Sequence, residues 1–149
     1  MIVDTSVEGY QQLIDGLDKD SLEIHFIDSD SNGLDQVSAI LVQHTKLDAL
    51  HILSHGSDAE FNLGSTNIND ENLNQYSSQL SSWAEYLTDD ADILFYACDL
   101  AATDKGESFI QSLADLTGAD IAASKDLTGL GGDVDLEVNI GSVEAQILL

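Results

Sequence analysis

The sequence predicts an α/β fold: a three-layer sandwich in which helices cover both faces of a mostly parallel six-stranded sheet. Two observations lead to this prediction. Short apolar runs of strand length alternate along the chain with segments whose apolar residues recur at helical spacing. Right-handed crossovers then return successive strands in the same direction, and helices cover the sheet. At 149 residues and 43% hydrophobic, the chain has the size and the apolar content of one domain.

The elements follow in order. Strands are predicted at residues 1–3, 22–27, 49–53, 93–97 and 120–123, with closing strands at 134–138 and 143–148. Helices are predicted at 7–17 with Ser6 as N-cap, at 34–44, from a cap at Asn69 or Asp70 through residue 87, and at 106–117 before a C-cap at Gly118. A hairpin turning at Gly64 and Ser65 is predicted within residues 60–68, and residues 128–132 form a glycine-rich loop.

The strongly negative net charge of the chain limits the classes of molecule that it can bind. Four Lys+Arg residues against 28 Asp+Glu give a formal net charge of -24, and all four basic residues are lysines. Such a surface repels phosphate backbones and anionic lipids, so we expect no nucleic acid partner and favour cationic substrates and divalent cations. No apolar run is long enough to span a bilayer, so no membrane insertion is expected.

The limits of the domain and its redox chemistry also follow from the sequence. We expect residues 1–149 to be a single domain cut from a longer protein, because Met1 stands directly before an apolar strand and no signal peptide is visible. The one cysteine excludes an internal disulfide.

Two strands each end in one reactive side chain. His55 and Gly56 follow the run 49–53, and the only cysteine, Cys98, follows the run 93–97. Because neighbouring parallel strands lie about 4.8 Å apart, groups at their carboxyl ends can meet as a base and a nucleophile. Gly56 allows a tight turn, and the N–H groups of Gly56 and Cys98 could bind an oxyanion. The alternative for Cys98 is an inert buried thiol, and for His55 a loop histidine bonded to nearby backbone.

These motifs resemble the caspase-like superfamily of cysteine peptidases, which includes caspases, gingipains, clostripain, separase and legumain. The separation of 43 residues between His55 and Cys98 is near the roughly 50 quoted for caspases. More narrowly, segments 52–56, 94–99, 116–124 and 131–137 resemble an uncharacterised caspase-like domain. That domain occurs near the N-terminus of giant bacterial adhesins with cadherin-like or calcium-binding repeats. The resemblance covers essentially the whole chain.

The resemblance implies a cysteine endopeptidase that hydrolyses a polypeptide through a thioester acyl-enzyme and processes its own parent adhesin. It implies His55 as general base, Cys98 as nucleophile, the Gly56 and Cys98 amides as oxyanion hole, no cofactor for the chemistry, and an extracellular or cell-surface location. The alternative is a catalytically inactive caspase-like module that serves assembly, retention or calcium-dependent contacts of a secreted adhesin.

Acidic residues supply the remaining candidate sites. The chain has no arginine to bind an acidic P1 residue, so cleavage after aspartate is not expected. Asp4 and Asp126, each after a predicted strand, could accept a P1 Arg or Lys, with solvated loop acids as the alternative. Asp28, Asp30 and Asn32 have the spacing of half an EF-hand calcium loop, but its twelfth position is Ala39. The competing interpretation is a turn in which Asn32 caps the next helix.

Overall fold

A computed structural model describes all 149 residues and contains nine strands and four α-helices. The strands are β1 (Ile2–Asp4), β2 (His25–Ile27), β3 (Leu47–Leu53), β4 (Gly56–Ser57), β5 (Glu60–Leu63), β6 (Thr66–Asn69), β7 (Leu87–Tyr96), β8 (Asp120–Ala123) and β9 (Val138–Ile140). The helices are α1 (Tyr10–Ile14), α2 (Gly33–Leu41), α3 (Leu73–Ser82) and α4 (Asp104–Thr117), with a 3-10 turn at Trp83–Tyr86 after α3.

Six strands form one mixed, mostly parallel sheet in the order β2-β1-β3-β7-β8-β9, and only β9 runs antiparallel to its neighbour. The larger core lies on one face, where α2, α3 and α4 pack, and a smaller core on the other face includes Ile14 of α1 and the C-terminal segment. The predicted three-layer α/β architecture is therefore confirmed. None of the four helices combines the length and the apolar character that crossing a bilayer requires.

The three short strands β4, β5 and β6 form a separate antiparallel sheet that reaches the larger core through Phe61. The Phe61 ring lies 5.0 Å from that of Phe95 and 6.1 Å from that of Phe109, measured between centroids. The Ala59 N–H also donates to the Leu100 carbonyl at 3.1 Å. These contacts fix β4, and with it Gly56, beside the segment that follows β7. The predicted hairpin is confirmed as β5 and β6, with Gly64 in the turn.

Several predicted boundaries are wrong for identifiable reasons. Ser6 does not cap α1, because its hydroxyl donates to Asp4 at 2.7 Å, and the helix begins after Gly9, which has a positive φ of 72°. Strand β7 begins at Leu87 rather than at residue 93, and α3 starts only after Asn72. Neither closing strand forms as predicted, since only Val138–Ile140 pairs with the sheet. Residues 143–148 are held instead by side chains of β7, as described below.

Candidate functional site

The ends of β3 and β7 lie side by side at the carboxyl edge of the sheet. Leu53 pairs with Tyr96, and the Ser54 N–H donates to the Tyr96 carbonyl at 3.1 Å, so the pairing continues one residue beyond β3. His55 and Cys98 each lie two residues after this paired position. The register of the two strands thus brings the candidate base and nucleophile to the same place on one edge, as predicted for sites in such sheets.

Gly56 makes the closest backbone contact between the two strand ends. A Cβ atom placed on Gly56 would lie 2.8 Å from the Ala97 Cβ and 2.9 Å from the Cys98 carbonyl oxygen. Only glycine fits at such a distance, because real Cβ atoms do not approach backbone this closely. The segment carrying His55 is therefore packed directly against the segment carrying Cys98.

The exposed His55 ring is oriented by a backbone carbonyl. Its Nε2 lies 3.1 Å from the Ser6 carbonyl oxygen, in the turn between β1 and α1. A carbonyl can only accept a hydrogen bond, so we infer that Nε2 carries the proton and that Nδ1 of the neutral ring keeps its lone pair. This is the tautomer in which Nδ1 can act as a base.

Cys98 is half-buried, and its thiol donates a weak hydrogen bond of 3.5 Å to the Thr128 carbonyl. The chain turns sharply after it, because Asp99 has a positive φ of 56° and its N–H donates to the Asp126 carbonyl at 2.7 Å. A left-handed conformation at a residue other than glycine costs energy and often marks a functional turn. His55 and Cys98 make no direct hydrogen bond, and hydrogen bonds between catalytic groups often tighten only when substrate binds.

Two backbone N–H groups on these adjoining segments have no hydrogen-bond partner in the chain. The Cys98 N–H donates to no group in the chain. The Asn62 N–H donates to the His55 carbonyl at 2.9 Å, which makes Gly56 and Phe61 a pair without mutual hydrogen bonds in the small sheet. The Gly56 N–H therefore does not bond to β5. Both amides predicted for an oxyanion hole are available as donors.

Residues 1–149 match the family described as "Domain of unknown function (DUF4347)". The chain belongs to this family. Comparisons with curated proteins and with solved structures each found no match.

In this DUF4347 domain, Asp126 lies beside the segment that follows Cys98. Its side chain is exposed and forms a group with Asp133 and Glu137 in which one oxygen of each residue lies within 4.8 Å of the others. Partial desolvation, together with the negative charges of Asp133 and Glu137, raises the pKa of Asp126. The loop after β8 thus presents concentrated negative charge next to the candidate nucleophile.

Asp4 is placed differently from its predicted role. Its carboxylate is fully buried, and Oδ1 accepts hydrogen bonds from the N–H and the hydroxyl of Ser6, at 2.9 and 2.7 Å. Oδ2 accepts from the Gly64 N–H at 2.7 Å. Substrate binding by Asp4 is not supported, because neither oxygen is exposed. The side chain instead fixes the turn whose carbonyl orients His55.

The turn with Asp28, Asp30 and Asn32 forms as the competing interpretation predicted. Asn32 caps α2 by accepting the Asp35 N–H at 3.1 Å, and Asp28 accepts the Asp30 N–H at 2.8 Å. Both carboxylates are exposed. These oxygens serve the local turn, and calcium binding at this turn stays a prediction.

The loop after β8 spans the carboxyl edge of the sheet. Its Thr128 carbonyl contacts the Cys98 thiol, and Leu130 packs against Gly9 so closely that a Cβ on Gly9 would lie 2.1 Å from Leu130 Cδ1. It therefore bridges from the cysteine to the turn that precedes α1. The prediction of a loop at 128–132 is confirmed, but its path across the site had no signal in the sequence.

The structure also brings together groups that sequence reasoning missed. The Nε2 atoms of His25 and His44 lie 2.6 and 3.6 Å from Oε1 of Glu23, although no ligand spacing in the chain predicted a histidine cluster. Asp92, Asp120 and Glu144 meet at the other end of the sheet. The only signal for that second group was an acidic residue directly before the apolar run at 93–97.

Proposed function

We propose that this domain is a cysteine endopeptidase of the caspase-like superfamily, with His55 as general base and Cys98 as nucleophile. The observation that carries the proposal is the contact of Gly56 with Ala97 and Cys98, which packs the two reactive segments together. The hydrogen bond from His55 Nε2 to the Ser6 carbonyl supports it further, since it leaves Nδ1 able to accept a proton.

The chemistry follows from these groups. His55 Nδ1 takes the thiol proton, and the Cys98 sulfur attacks the carbonyl carbon of the scissile peptide bond. The N–H groups of Gly56 and Cys98 stabilise the oxyanion of the tetrahedral intermediate. His55 then gives its proton to the leaving amine, which departs and leaves a thioester on Cys98. Water, deprotonated by His55, hydrolyses the thioester and restores the thiol.

The substrate we propose is a polypeptide with lysine or arginine at P1. The exposed carboxylate of Asp126, reinforced by Asp133 and Glu137, lies in the loop that touches Cys98 and would attract a cationic side chain. A parent surface protein is the natural candidate, because a domain within the same chain is present at high effective concentration. On this proposal the domain acts at the cell surface or outside the cell.

A specific observation also favours the alternative, a catalytically inactive module that serves assembly or retention of a secreted adhesin. The Cys98 thiol donates to the Thr128 carbonyl rather than to His55, so the sulfur is bonded to the loop after β8 instead of to the candidate base. A fold can be retained without its chemistry. Covalent labelling of Cys98 distinguishes the active peptidase from the inactive module.

The test uses an acyloxymethyl ketone peptide with lysine at P1, with the adduct measured by intact-mass spectrometry. Because Cys98 is the only cysteine, an adduct reports on that residue alone. We expect one adduct on the wild type and none on Cys98→Ala, with labelling lowered at least about 100-fold in His55→Ala. A matching probe with aspartate at P1 should react much more slowly. No adduct with either probe would leave only the inactive module.

A further inference from the structure

Three carboxylates converge far from the dyad, where the C-terminal segment crosses the sheet. One oxygen each from Asp92, Asp120 and Glu144 lies within 4.8 Å of the other two. We name this group the carboxylate corner. It lies four residues before the end of β7, or about 13 Å along the strand from the carboxyl edge.

The fold itself builds this corner. Asp92 of β7 is the register partner of Asp120, the first residue of β8. Oδ2 of Asp92 accepts the N–H groups of Glu144 and Ala145, at 3.0 and 2.8 Å. Oδ2 of Asp120 accepts the Ser142 N–H at 3.1 Å, and the Ser142 hydroxyl donates to Glu144 Oε1 at 2.8 Å. Two strands and the C-terminal segment are thus joined through acidic side chains.

One oxygen in this corner has no partner. Asp92 is 2% exposed, yet its Oδ1 is buried without any hydrogen bond. No lysine or histidine forms a salt bridge with Asp92, Asp120 or Glu144. A buried carboxylate oxygen without a partner is costly, and two further carboxylates nearby add like-charge repulsion. The arrangement therefore lacks a positive charge.

We propose that the carboxylate corner binds one calcium ion. Calcium takes oxygen ligands at about 2.3–2.6 Å, so two oxygens on opposite sides of the ion lie about 4.8 Å apart. One oxygen from each of the three carboxylates lies within 4.8 Å of the others, close enough for all three to reach one ion. The all-oxygen donor set disfavours zinc, which prefers nitrogen and sulfur. The Asp92 Oδ1 atom gains in the ion the partner that it lacks.

The other acidic groups do not have this combination. The group formed by Asp126, Asp133 and Glu137 is wholly exposed, and none of its oxygens is buried without a partner. Asp28 and Asp30 are exposed and use their turn for local hydrogen bonds. Only the carboxylate corner joins converging acids to a buried, unsatisfied carboxylate.

Calcium at this corner would stabilise the docking of the C-terminal segment on the sheet. Glu144 and Ala145 are bonded to Asp92, and Val143, Ala145 and Leu149 pack against the smaller core. The ion would pull Glu144 and the two sheet carboxylates together. The corner is separate from His55 and Cys98, so the proposal does not depend on the domain's being an enzyme.

The test is calcium titration of the metal-stripped domain by calorimetry, with thermal unfolding measured in parallel. We expect one ion per chain and a higher Tm with calcium. Glu144→Gln should weaken calcium binding at least about tenfold, because it removes one of the three ligand charges. The variant should still fold, since Glu144 is exposed. Glu137→Gln is the matched control, since it makes the same change in the exposed group and should bind calcium as the wild type does.

Two further measurements complete the test. Hydrogen exchange of residues 142–147 should slow at least about fivefold when calcium is added. Asp92→Asn should abolish binding, and Glu144→Gln decides the matter if Asp92→Asn does not fold. The absence of heat and of any Tm change in the wild type would overturn the proposal. Equal calcium binding by Glu144→Gln and the wild type, or magnesium binding as tight as calcium binding, would overturn it as well.

Discussion

The carboxyl edge of the sheet and the carboxylate corner hold polar groups in contrasting ways. At the carboxyl edge, His55 and Cys98 are partly accessible, and each is oriented by a backbone carbonyl, from Ser6 and Thr128. At the carboxylate corner, Asp92 is buried and one of its oxygens has no partner. The first arrangement keeps reactive atoms accessible, while the second leaves a buried carboxylate oxygen without a partner, where we propose that calcium binds. Accessible groups oriented by backbone suit chemistry, and buried unsatisfied acids suit an ion that stabilises the fold.

The largest effect at the carboxyl edge should come from Gly56→Ala. The new Cβ would press on Ala97 Cβ at 2.8 Å and on the Cys98 carbonyl at 2.9 Å, so the two reactive segments must separate. We expect labelling of Cys98 by the lysine probe to fall about 100-fold, with about 1–3 kcal/mol of stability lost. Gly16→Ala is the control, because no atom lies within 4 Å of the added Cβ there. Equal labelling of the two variants would contradict the close contact.

The substitution Asp4→Asn should have the next largest effect. The amide that replaces one carboxylate oxygen would direct a donor at the N–H of Ser6 or of Gly64, each of which needs an acceptor. We expect the free energy of unfolding in urea to fall by about 2–3 kcal/mol. Asp18→Asn is the matched control, since Asp18 also accepts an N–H two residues on, at 3.0 Å, but is exposed. A change below about 0.5 kcal/mol at Asp4 would remove its role in fixing the Ser6 turn.

His51 of β3 and Tyr96, the last residue of β7, form a buried pair whose hydrogen bond measures 3.1 Å. Burial lowers the pKa of His51 to about 4 and raises that of Tyr96 to about 12. The unfolded chain binds a proton at His51 below its ordinary pKa of about 6.5, whereas the folded chain does so only below about 4. Stability is therefore lost as the pH falls from 6.5 toward 4, by about 2 kcal/mol between pH 7 and pH 5.

Chemical denaturation of wild type and His51→Gln across this pH range checks that figure. The free energy of unfolding of His51→Gln should fall less steeply between pH 7 and pH 5 than that of the wild type, whatever the absolute stability of the variant. Parallel pH dependences in the two proteins would show that His51 is not held neutral by burial.

The smallest expected effect concerns the loop over the carboxyl edge. Leu130→Ala removes the contact with the turn at Gly9, a change worth about 0.7 kcal/mol for a half-exposed leucine. Alkylation of Cys98 should become about threefold faster as the loop opens more often. Leu127→Ala is the control in the same loop, because Leu127 is equally exposed at 51%. Slower alkylation in Leu130→Ala would mean that the loop does not shield the thiol.

Several features of the fold and of the candidate site could be predicted from local sequence. The strand Asp120–Ala123 and the C-cap at Gly118 lie where the apolar pattern and the glycine predicted them. The two reactive residues could be placed at one edge because both follow apolar strands. The carbonyls of Ser6 and Thr128 could not be predicted, since any residue carries one and only the loop path brings it to the site.

The C-terminal region shows where local pattern fails. Residues 143–148 have strand-like composition, yet Asp92 and the Tyr96 hydroxyl take the N–H groups that a ladder would use, at Glu144, Ala145 and Leu148. Contacts between residues about 50 positions apart determine the conformation of this segment. The acidic residue at 92 was visible in the sequence, but its partners at 120 and 144 emerge only once the register is known.

The rate of thiol alkylation measures directly whether His55 activates Cys98. Iodoacetamide reacts with the thiolate, so its second-order rate at pH 7 reports on activation by the neighbouring base. We expect wild type and His44→Ala, which changes a histidine remote from the dyad, to react at least about tenfold faster than His55→Ala. Equal rates in all three proteins would contradict activation of Cys98 by His55.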